Sequence, residues 1–190
     1  MQDNVKKLIK TSKNLYENKL VSGKSGNISI RLDDYIAITP TLKSLGDLTE
    51  EDIVLVDMES NCLTAGKPSS EVGMHLAIYN KRKDVNAIVH VHSPYVTGFA
   101  FSDKKIKRLE GFGQINQEYL SSIEYEKPGS QELALSASKG IKDEDVLILK
   151  NHGMICVGEN LKETESLAMF IEESAKTQFI SIMLNSVKDI

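Results

Sequence analysis

Residues 86–94 read NAIVHVHSP, an apolar run that carries two histidines and ends at a proline. The run predicts a strand from Asn86 to His92, because short segments rich in β-branched residues favour strands. Pro94 predicts that a helix follows, since its missing N–H costs nothing in the first turn. His90 and His92 are two residues apart, so both imidazoles project from one face of the predicted strand. The valine between them points the other way, into a core.

Helical and strand-like patterns alternate along the rest of the chain. Helices are predicted at 5–20, from Ser69 or Ser70 to Tyr79, at 131–139 and at 161–184, and strands at 27–32, 35–39, 53–57, 145–150 and 154–157. Residues 103–128 carry mixed charge and give no clear pattern. Helices before, between and after a series of short strands are typical of an α/β or α+β protein in layers, with a mostly antiparallel sheet. At 190 residues the chain is expected to form a single domain, residues 1–190.

Composition and charge argue against several function classes. The net charge is −4, so no bulk attraction to nucleic acid or to an anionic membrane is expected, because phosphate groups bind basic surfaces. The two cysteines are too few for a disulfide framework and fit a protein of the reducing cytoplasm. We find neither an apolar signal core nor the run of about 18 apolar residues that a membrane-spanning helix needs.

A third histidine, His152, follows an apolar stretch and precedes Gly153, at the predicted junction of two strands. Neutral imidazole is the commonest metal ligand in proteins, and three imidazoles with one open position describe a catalytic zinc site. His90, His92 and His152 are therefore candidate ligands for Zn²⁺, although one buried and one surface histidine would also explain the pair on the strand. Glycine at 153 allows the tight turn that a close approach needs.

Glu71 is the carboxylate expected to complete this set. It lies at the start of a predicted helix, where capping is the alternative role, because the positive end of the helix dipole favours a carboxylate. A glutamate that faces the metal can bind the ion at rest and act as a base when substrate arrives. His75 lies one helical turn later on the same face. We expect His75 behind the ligands or in the core rather than as a further ligand.

Three short hydroxyl-bearing segments predict an anion site: Ser25-Gly26-Asn27, Thr39-Pro40-Thr41 and Ser69-Ser70. Free N–H groups at a helix start, together with the positive end of the dipole, attract phosphate. The pair Ser69-Ser70 directly precedes Glu71, so a phosphate held there would lie near the predicted metal. No glycine-rich nucleotide-binding motif accompanies these segments.

Together, the segments SGNIS (25–29), ITP (38–40), KPSSE (67–71), HVH (90–92) and NHG (151–153) resemble the class II aldolase/adducin family. The resemblance implies a three-layer α/β/α fold, a C4 homotetramer with active sites near subunit interfaces, and one zinc ion per subunit. It further implies roles for individual residues: zinc ligation by His90, His92 and His152, resting ligation and acid/base chemistry by Glu71, and phosphate binding by Ser25, Asn27, Ser69 and Ser70.

The chain departs from the family pattern at several positions. Leu42 stands where family members often have a glycine whose amide helps to hold phosphate, and Lys24 stands where a small hydroxyl residue is expected. The segment that matches the family's proton-donating tyrosine has Gly111 at that position, which leaves Glu110 or Tyr119 as a candidate donor. The chain ends soon after the last predicted helix, so the C-terminal tail of fuller members is expected to be short or absent.

The resemblance implies a metal-dependent lyase that reversibly cleaves a phosphorylated ketose to dihydroxyacetone phosphate and an aldehyde. Two other metal-dependent reactions of the family stay open, the epimerisation of pentulose phosphates and the dehydration of methylthioribulose phosphate. A glutamate at position 71 favours the aldolase, because the epimerases usually carry a shorter acidic residue there. A non-catalytic adducin-like module is the remaining alternative, and the presence of all three histidines argues against it.

Overall fold

The computed structural model describes residues 2–109 and 117–187. Within these ranges lie five α-helices: α1 (Gln2–Glu17), α2 (Val72–Lys81), α3 (Pro94–Ala100), α4 (Gln131–Gly140) and α5 (Leu161–Ser186). The strands are β1 (Asn27–Leu32), β2 (Tyr35–Ile38), β3 (Val54–Asp57), β4 (Ala87–Val91), β5 (Ser121–Ile123), β6 (Val146–Leu149) and β7 (Gly153–Gly158). Two short 3-10 turns, Leu45–Asp47 and Glu50–Asp52, connect β2 to β3.

The strands form one sheet in the order β3-β2-β1-β4-β7-β6-β5. Neighbouring strands are antiparallel except β5 and β6, which run parallel. The prediction of a mostly antiparallel sheet is therefore confirmed. The central strand β4 pairs with β1 through Asn27 and His90, and with β7 through Val91 and Met154. This register brings the start of β1, the end of β4 and the start of β7 to the same end of the sheet.

Helices cover both faces of the sheet, so the α/β fold with three layers is confirmed. Helices α1, α3 and α5 enclose one apolar cluster, and α2 and α4 enclose a second cluster on the opposite face. Successive residues of β4 alternate between them: Val89 belongs to the first cluster and Ile88 to the second. This alternation follows from the two-residue repeat of a strand that is buried on both faces.

Two predicted boundaries differ from the structure. Neither Ser69 nor Ser70 caps α2, because the N-cap residue is Glu71, whose side chain makes no capping hydrogen bond. Ser69 Oγ instead accepts a hydrogen bond from the Glu71 N–H at 3.3 Å. The unassigned stretch 103–128 contains β5, which is only three residues long and therefore too short to show an alternating pattern.

Two further expectations concern composition. Both cysteines are free thiols, with Cys62 exposed and Cys156 buried. Over residues 2–109 and 117–187, no helix combines the length and apolar character that crossing a membrane requires.

Candidate metal centre

The three predicted histidines meet where β4 ends and β7 begins. Each pair of rings has centroids 4.8 Å apart, with interplanar angles between 68° and 76°. One nitrogen from each ring lies within 4.8 Å of the other two, and the Nε2 atoms of His90 and His92 are 2.9 Å apart. Imidazoles that converge in this way form a candidate site for one cation.

The sheet register and one turn explain the convergence. Pairing of Val91 with Met154 places the turn before β7 beside the end of β4. Asn151 adopts a left-handed φ of 54° in that turn, which asparagine tolerates better than most residues. A Cβ atom on Gly153 would collide with the Val91 carbonyl oxygen and would meet His92 Cδ2 at 2.9 Å. Glycine is therefore required for β7 to approach the histidines so closely.

The backbone of β7 orients His90, which is fully buried. Its Nδ1 lies 2.9 Å from the Met154 carbonyl oxygen, so we assign the proton to Nδ1, which donates to that carbonyl. Its Nε2 then lies 2.9 Å from His92 Nε2 and 3.1 Å from Glu71 Oε2. A hydrogen bond of this kind fixes the tautomer and strengthens the free nitrogen as a metal ligand.

Glu71 joins the cluster from the start of α2. Its Oε2 lies 3.1 Å from His90 Nε2 and its Oε1 lies 3.7 Å from His152 Nε2. Asn27 Nδ2 donates to Oε2 at 2.9 Å. Burial by itself would raise the pKa of Glu71, but the charge and hydrogen bond of His90, with contributions from His152 and Asn27, hold that pKa well below its usual range. Glu71 is therefore an anion that faces the histidines, and although it is the N-cap residue of α2, its side chain makes no capping hydrogen bond.

Burial and mutual repulsion keep two of the histidines neutral. Burial, followed by the charges of His90 and His152, lowers the pKa of His92 to about 3. Burial and the charge of His90 lower the pKa of His152 to about 4. For His90, burial favours the neutral ring, but Glu71 outweighs it and raises the pKa above its ordinary value. The site thus favours one positive charge next to Glu71, which a metal cation can supply in place of a proton.

The donor atoms fit a divalent transition metal. In the described part of the chain, the buried Glu71 Oε1 and His152 Nδ1 have no hydrogen-bond partner. A buried carboxylate oxygen without a partner is costly unless a cation offsets its charge. Three imidazoles and one carboxylate suit zinc, and imidazole also accepts other divalent metals.

The predicted hydroxyl-bearing segments come together beside this cluster. The Ser69 N–H donates to the Thr39 carbonyl at 3.0 Å, and Thr39 Oγ1 accepts from the Ile28 N–H at 3.1 Å. A bridge between Pro40 and Pro68 continues the contact. The end of β2 therefore joins the start of β1 to the segment that precedes α2.

The four predicted phosphate-binding residues differ in accessibility. Ser70 is exposed and Ser25 is partly buried, with Ser25 Oγ donating to the Ser22 carbonyl at 2.8 Å. Asn27 and Ser69 are each 5 % exposed. Of the two positions that depart from the family pattern, Lys24 is exposed, and Leu42 is 74 % exposed with a φ of 60°. Position 42 thus keeps the backbone conformation that glycine favours, although a leucine occupies it.

A cavity of about 450 Å³ opens at His92. Its walls come from the end of α1 and the residues that follow, including Tyr16, Glu17, Lys19 and Val21. Of the three histidines, His92 is the one that lines this cavity.

His75 was expected behind the ligands or in the core. Its ring is fully buried, and its Nε2 lies 2.5 Å from Asn27 Oδ1. The roles of the Met154 carbonyl, Ser29 and Tyr79 were not predicted from the sequence. Ser29 Oγ bonds both to His75 Nδ1 and to the Tyr79 hydroxyl. The sequence carried a signal for Ser29 and Tyr79, since polar residues alternate in NISIR (27–31) and recur every fourth residue at 71, 75 and 79.

The candidate proton donors remain predictions. Glu110 and Gly111 lie outside the described residues. Tyr119 forms an antiparallel bridge with Lys107, and the Nζ atoms of Lys105 and Lys107 lie 5.9 and 5.8 Å from its ring centroid.

Comparison with known proteins agrees with this geometry. Residues 6–179 match the family described as Class II Aldolase and Adducin N-terminal domain. The chain is 40 % identical over 179 residues to the L-fuculose phosphate aldolase of Methanocaldococcus jannaschii, which covers 94 % of this chain and 97 % of that one. It is 34 % identical over 178 residues to the 3-oxo-tetronate 4-phosphate decarboxylase of Haemophilus influenzae, with 90 % and 85 % covered.

Among solved structures, an L-fuculose 1-phosphate aldolase superposes with a TM-score of 0.89 at 28 % identity, over 100 % of this chain and 91 % of that one. The family match spans nearly the whole chain, and both the sequence relatives and the structural neighbour include aldolases. The chain therefore belongs to the class II aldolase/adducin family and is an enzyme of the aldehyde-lyase type.

Proposed function

We propose that this enzyme reversibly cleaves a ketose 1-phosphate of the fuculose 1-phosphate type to dihydroxyacetone phosphate and an aldehyde. The observation that carries the proposal is the buried Glu71 carboxylate, held among three converging imidazoles. His90, His92, His152 and Glu71 would hold one Zn²⁺ in each subunit. When bound, the ion supplies positive charge next to the carbonyl oxygen, which stabilises the negative charge that develops there by several kcal/mol.

Glu71 is the residue that we propose to move the proton of the reacting carbon. Breaking the carbon–carbon bond leaves its electron pair on the dihydroxyacetone phosphate half as an enediolate, whose carbon must then receive a proton. The hydroxyl on the departing carbon loses one proton as the aldehyde forms. The Glu71 carboxylate can accept that proton and deliver it to the enediolate carbon, and in the reverse direction it can remove it. His90 keeps Glu71 anionic at rest. Once Glu71 leaves this contact, burial raises its pKa and makes it a stronger base.

Ser25, Asn27, Ser69 and Ser70 are proposed to bind the substrate phosphate. Support comes from Thr39, which accepts hydrogen bonds from the Ser69 N–H and from the Ile28 N–H and so joins the two segments that carry these residues next to Glu71. A phosphate fixed there would hold the reacting carbon close to Glu71, and such orientation is a large part of the rate advantage of an enzyme.

A second reaction is favoured by one comparison, the similarity to a 3-oxo-tetronate 4-phosphate decarboxylase. Loss of carbon dioxide from a 3-oxo acid also breaks a carbon–carbon bond and leaves a negatively charged oxygen next to the reacting carbon. The same histidines and Glu71 could serve it. The epimerase and dehydratase alternatives use the same kind of metal site, and the non-catalytic adducin-like alternative predicts no turnover at all.

The test is the release of dihydroxyacetone phosphate from a panel of ketose 1-phosphates by zinc-loaded protein. We expect release that disappears on chelation and returns when zinc is added back. Parallel assays with a 3-oxo-tetronate 4-phosphate, a pentulose 5-phosphate and methylthioribulose 1-phosphate follow carbon dioxide, epimer and dehydrated product. Turnover of one of these, without dihydroxyacetone phosphate release from any ketose, would replace the aldolase proposal.

We further propose that the chain acts as one domain in a cytoplasmic homotetramer with its active sites near subunit interfaces. The free thiols of Cys62 and Cys156 suit a reducing compartment, and the tetramer follows from the resemblance. Light scattering on the purified protein measures the assembly directly. A mass of one subunit, with full activity, would contradict the tetramer.

A further inference from the structure

A chain of hydrogen-bonded side chains runs back from Glu71 between β1 and α2. It consists of Asn27, His75, Ser29 and Tyr79, which we name the buried relay. Asn27 Oδ1 lies 2.5 Å from His75 Nε2, His75 Nδ1 lies 2.7 Å from Ser29 Oγ, and Ser29 Oγ lies 2.9 Å from the Tyr79 hydroxyl. No member is more than 5 % exposed.

The relay forms because β1 and α2 repeat polar residues at nearly equal distances. Residues 27, 29 and 31 share one face of β1 and rise about 6.7 Å per pair of residues. Residues 71, 75 and 79 share one face of α2 and rise about 6 Å per four residues. Arg31 anchors the far end, where it donates to the Tyr79 carbonyl at 2.5 Å and lies 4.7 Å from the centroid of that ring.

The hydrogen-bonding capacity of each group fixes which atoms in the relay donate and which accept. A carboxylate only accepts hydrogen bonds, so Asn27 presents its NH₂ group to Glu71 and its oxygen to His75. His75 Nε2 must then carry the proton, which leaves Nδ1 of the neutral ring to accept from the Ser29 hydroxyl. The Ser29 oxygen in turn accepts from the Tyr79 hydroxyl. Every donor therefore points towards Glu71, and the bonds of such a chain polarise one another.

Burying these groups adds little stability compared with packed apolar side chains, because their hydrogen bonds mainly offset the loss of water. What the relay provides is a fixed orientation of the Asn27 amide. We propose that His75 is a positioning residue which, through Asn27, holds the Glu71 carboxylate turned towards His90 and His152. This inference rests on the proposed role of Glu71 as metal ligand and base.

Three variants separate positioning from stability. His75→Leu removes the donor to Asn27, whereas His75→Gln keeps an N–H group able to reach the same oxygen. Leu76→Ala opens a cavity on the same helix, in the apolar cluster that α2 and α4 enclose, because Leu76 is 5 % exposed. For each we would measure the zinc dissociation constant by competition with a chromophoric chelator, together with kcat, KM and the melting temperature.

We expect His75→Leu to weaken zinc binding by about 10- to 100-fold, as is typical when a residue that orients a ligand is lost, and to lower kcat more than it changes KM. His75→Gln should recover most of both properties. Leu76→Ala should lower the melting temperature and leave zinc affinity unchanged. Wild-type zinc affinity and kcat in His75→Leu, or an equal loss in Leu76→Ala, would overturn the positioning role.

One measurement on the unmodified chain guards against variants that fail to fold. Nitrogen-15 chemical shifts of labelled histidine distinguish the two neutral tautomers, and the relay requires the proton of His75 on Nε2. Finding it on Nδ1 would reverse the relay and overturn the inference. A different result would contradict the proposed function itself, namely that the wild-type protein binds no zinc.

Discussion

Replacing Glu71 with glutamine removes one negative charge and almost no volume from the centre of the site. The new amide oxygen can still accept from Asn27 Nδ2, so the relay and the fold should survive. His90, His92 and His152 remain, and we expect about one equivalent of zinc to stay bound, more weakly because a neutral amide replaces the carboxylate. Turnover should fall by about 10²- to 10⁴-fold, which is the rate enhancement that a positioned general base usually contributes. That loss corresponds to about 3–5 kcal/mol of activation free energy.

The assay couples dihydroxyacetone phosphate release to NADH oxidation, with bound zinc counted by elemental analysis on the same samples. Glu165→Gln is the matched control, because Glu165 accepts hydrogen bonds from Thr11 at 2.8 Å and Asn14 at 3.0 Å, away from the histidines. This control should keep its zinc and its turnover. A Glu71→Gln enzyme that binds zinc and turns over within about tenfold of wild type would refute the acid/base assignment.

Three further predictions test the surroundings of the site. Gly153→Ala should lower zinc affinity far more than it lowers the melting temperature, because its Cβ would collide with the Val91 carbonyl and press on His92; unchanged affinity in a competition assay would show that β7 can shift at no cost. In metal-free protein, burial lowers the pKa of His75 to about 3, below the unfolded value of about 6.5. Below about pH 6.5 the unfolded chain therefore binds a proton that the folded chain does not, so the free energy of unfolding falls as the pH falls. Urea unfolding at pH 7 and 4.5 should show wild type losing about 3 kcal/mol more than His75→Gln, and equal losses would contradict a neutral buried ring. Leu42→Gly should relieve the left-handed backbone and change the free energy of unfolding by no more than about 1 kcal/mol, while it lowers KM for the phosphorylated substrate; a higher KM would argue against an anion-binding role for this turn.

The predictable part of the fold was the part governed by short-range periodicity. The strand at 86–92 and the helix after it follow from β-branched residues and a proline, and the structure places β4 and α3 there. Strand β5 escaped prediction because its three residues acquire their conformation from pairing with β6. The start of α2 was misplaced because two serines resemble a cap, whereas the chain turns into the helix only at Glu71.

Some features of the candidate site likewise follow from the sequence, and others depend on the tertiary structure. The sequence alone determined that His90 and His92 share a face, because that follows from the geometry of a single strand. It also determined the order of the motifs by which the family is identified. Only the tertiary structure decided that β7 lies beside β4, which brings His152 to the pair and turns the Met154 carbonyl onto His90. The tertiary structure also turned Glu71 inwards and aligned β1 with α2 to build the relay, because contacts between distant segments depend on sheet order and helix packing, which local periodicity does not encode.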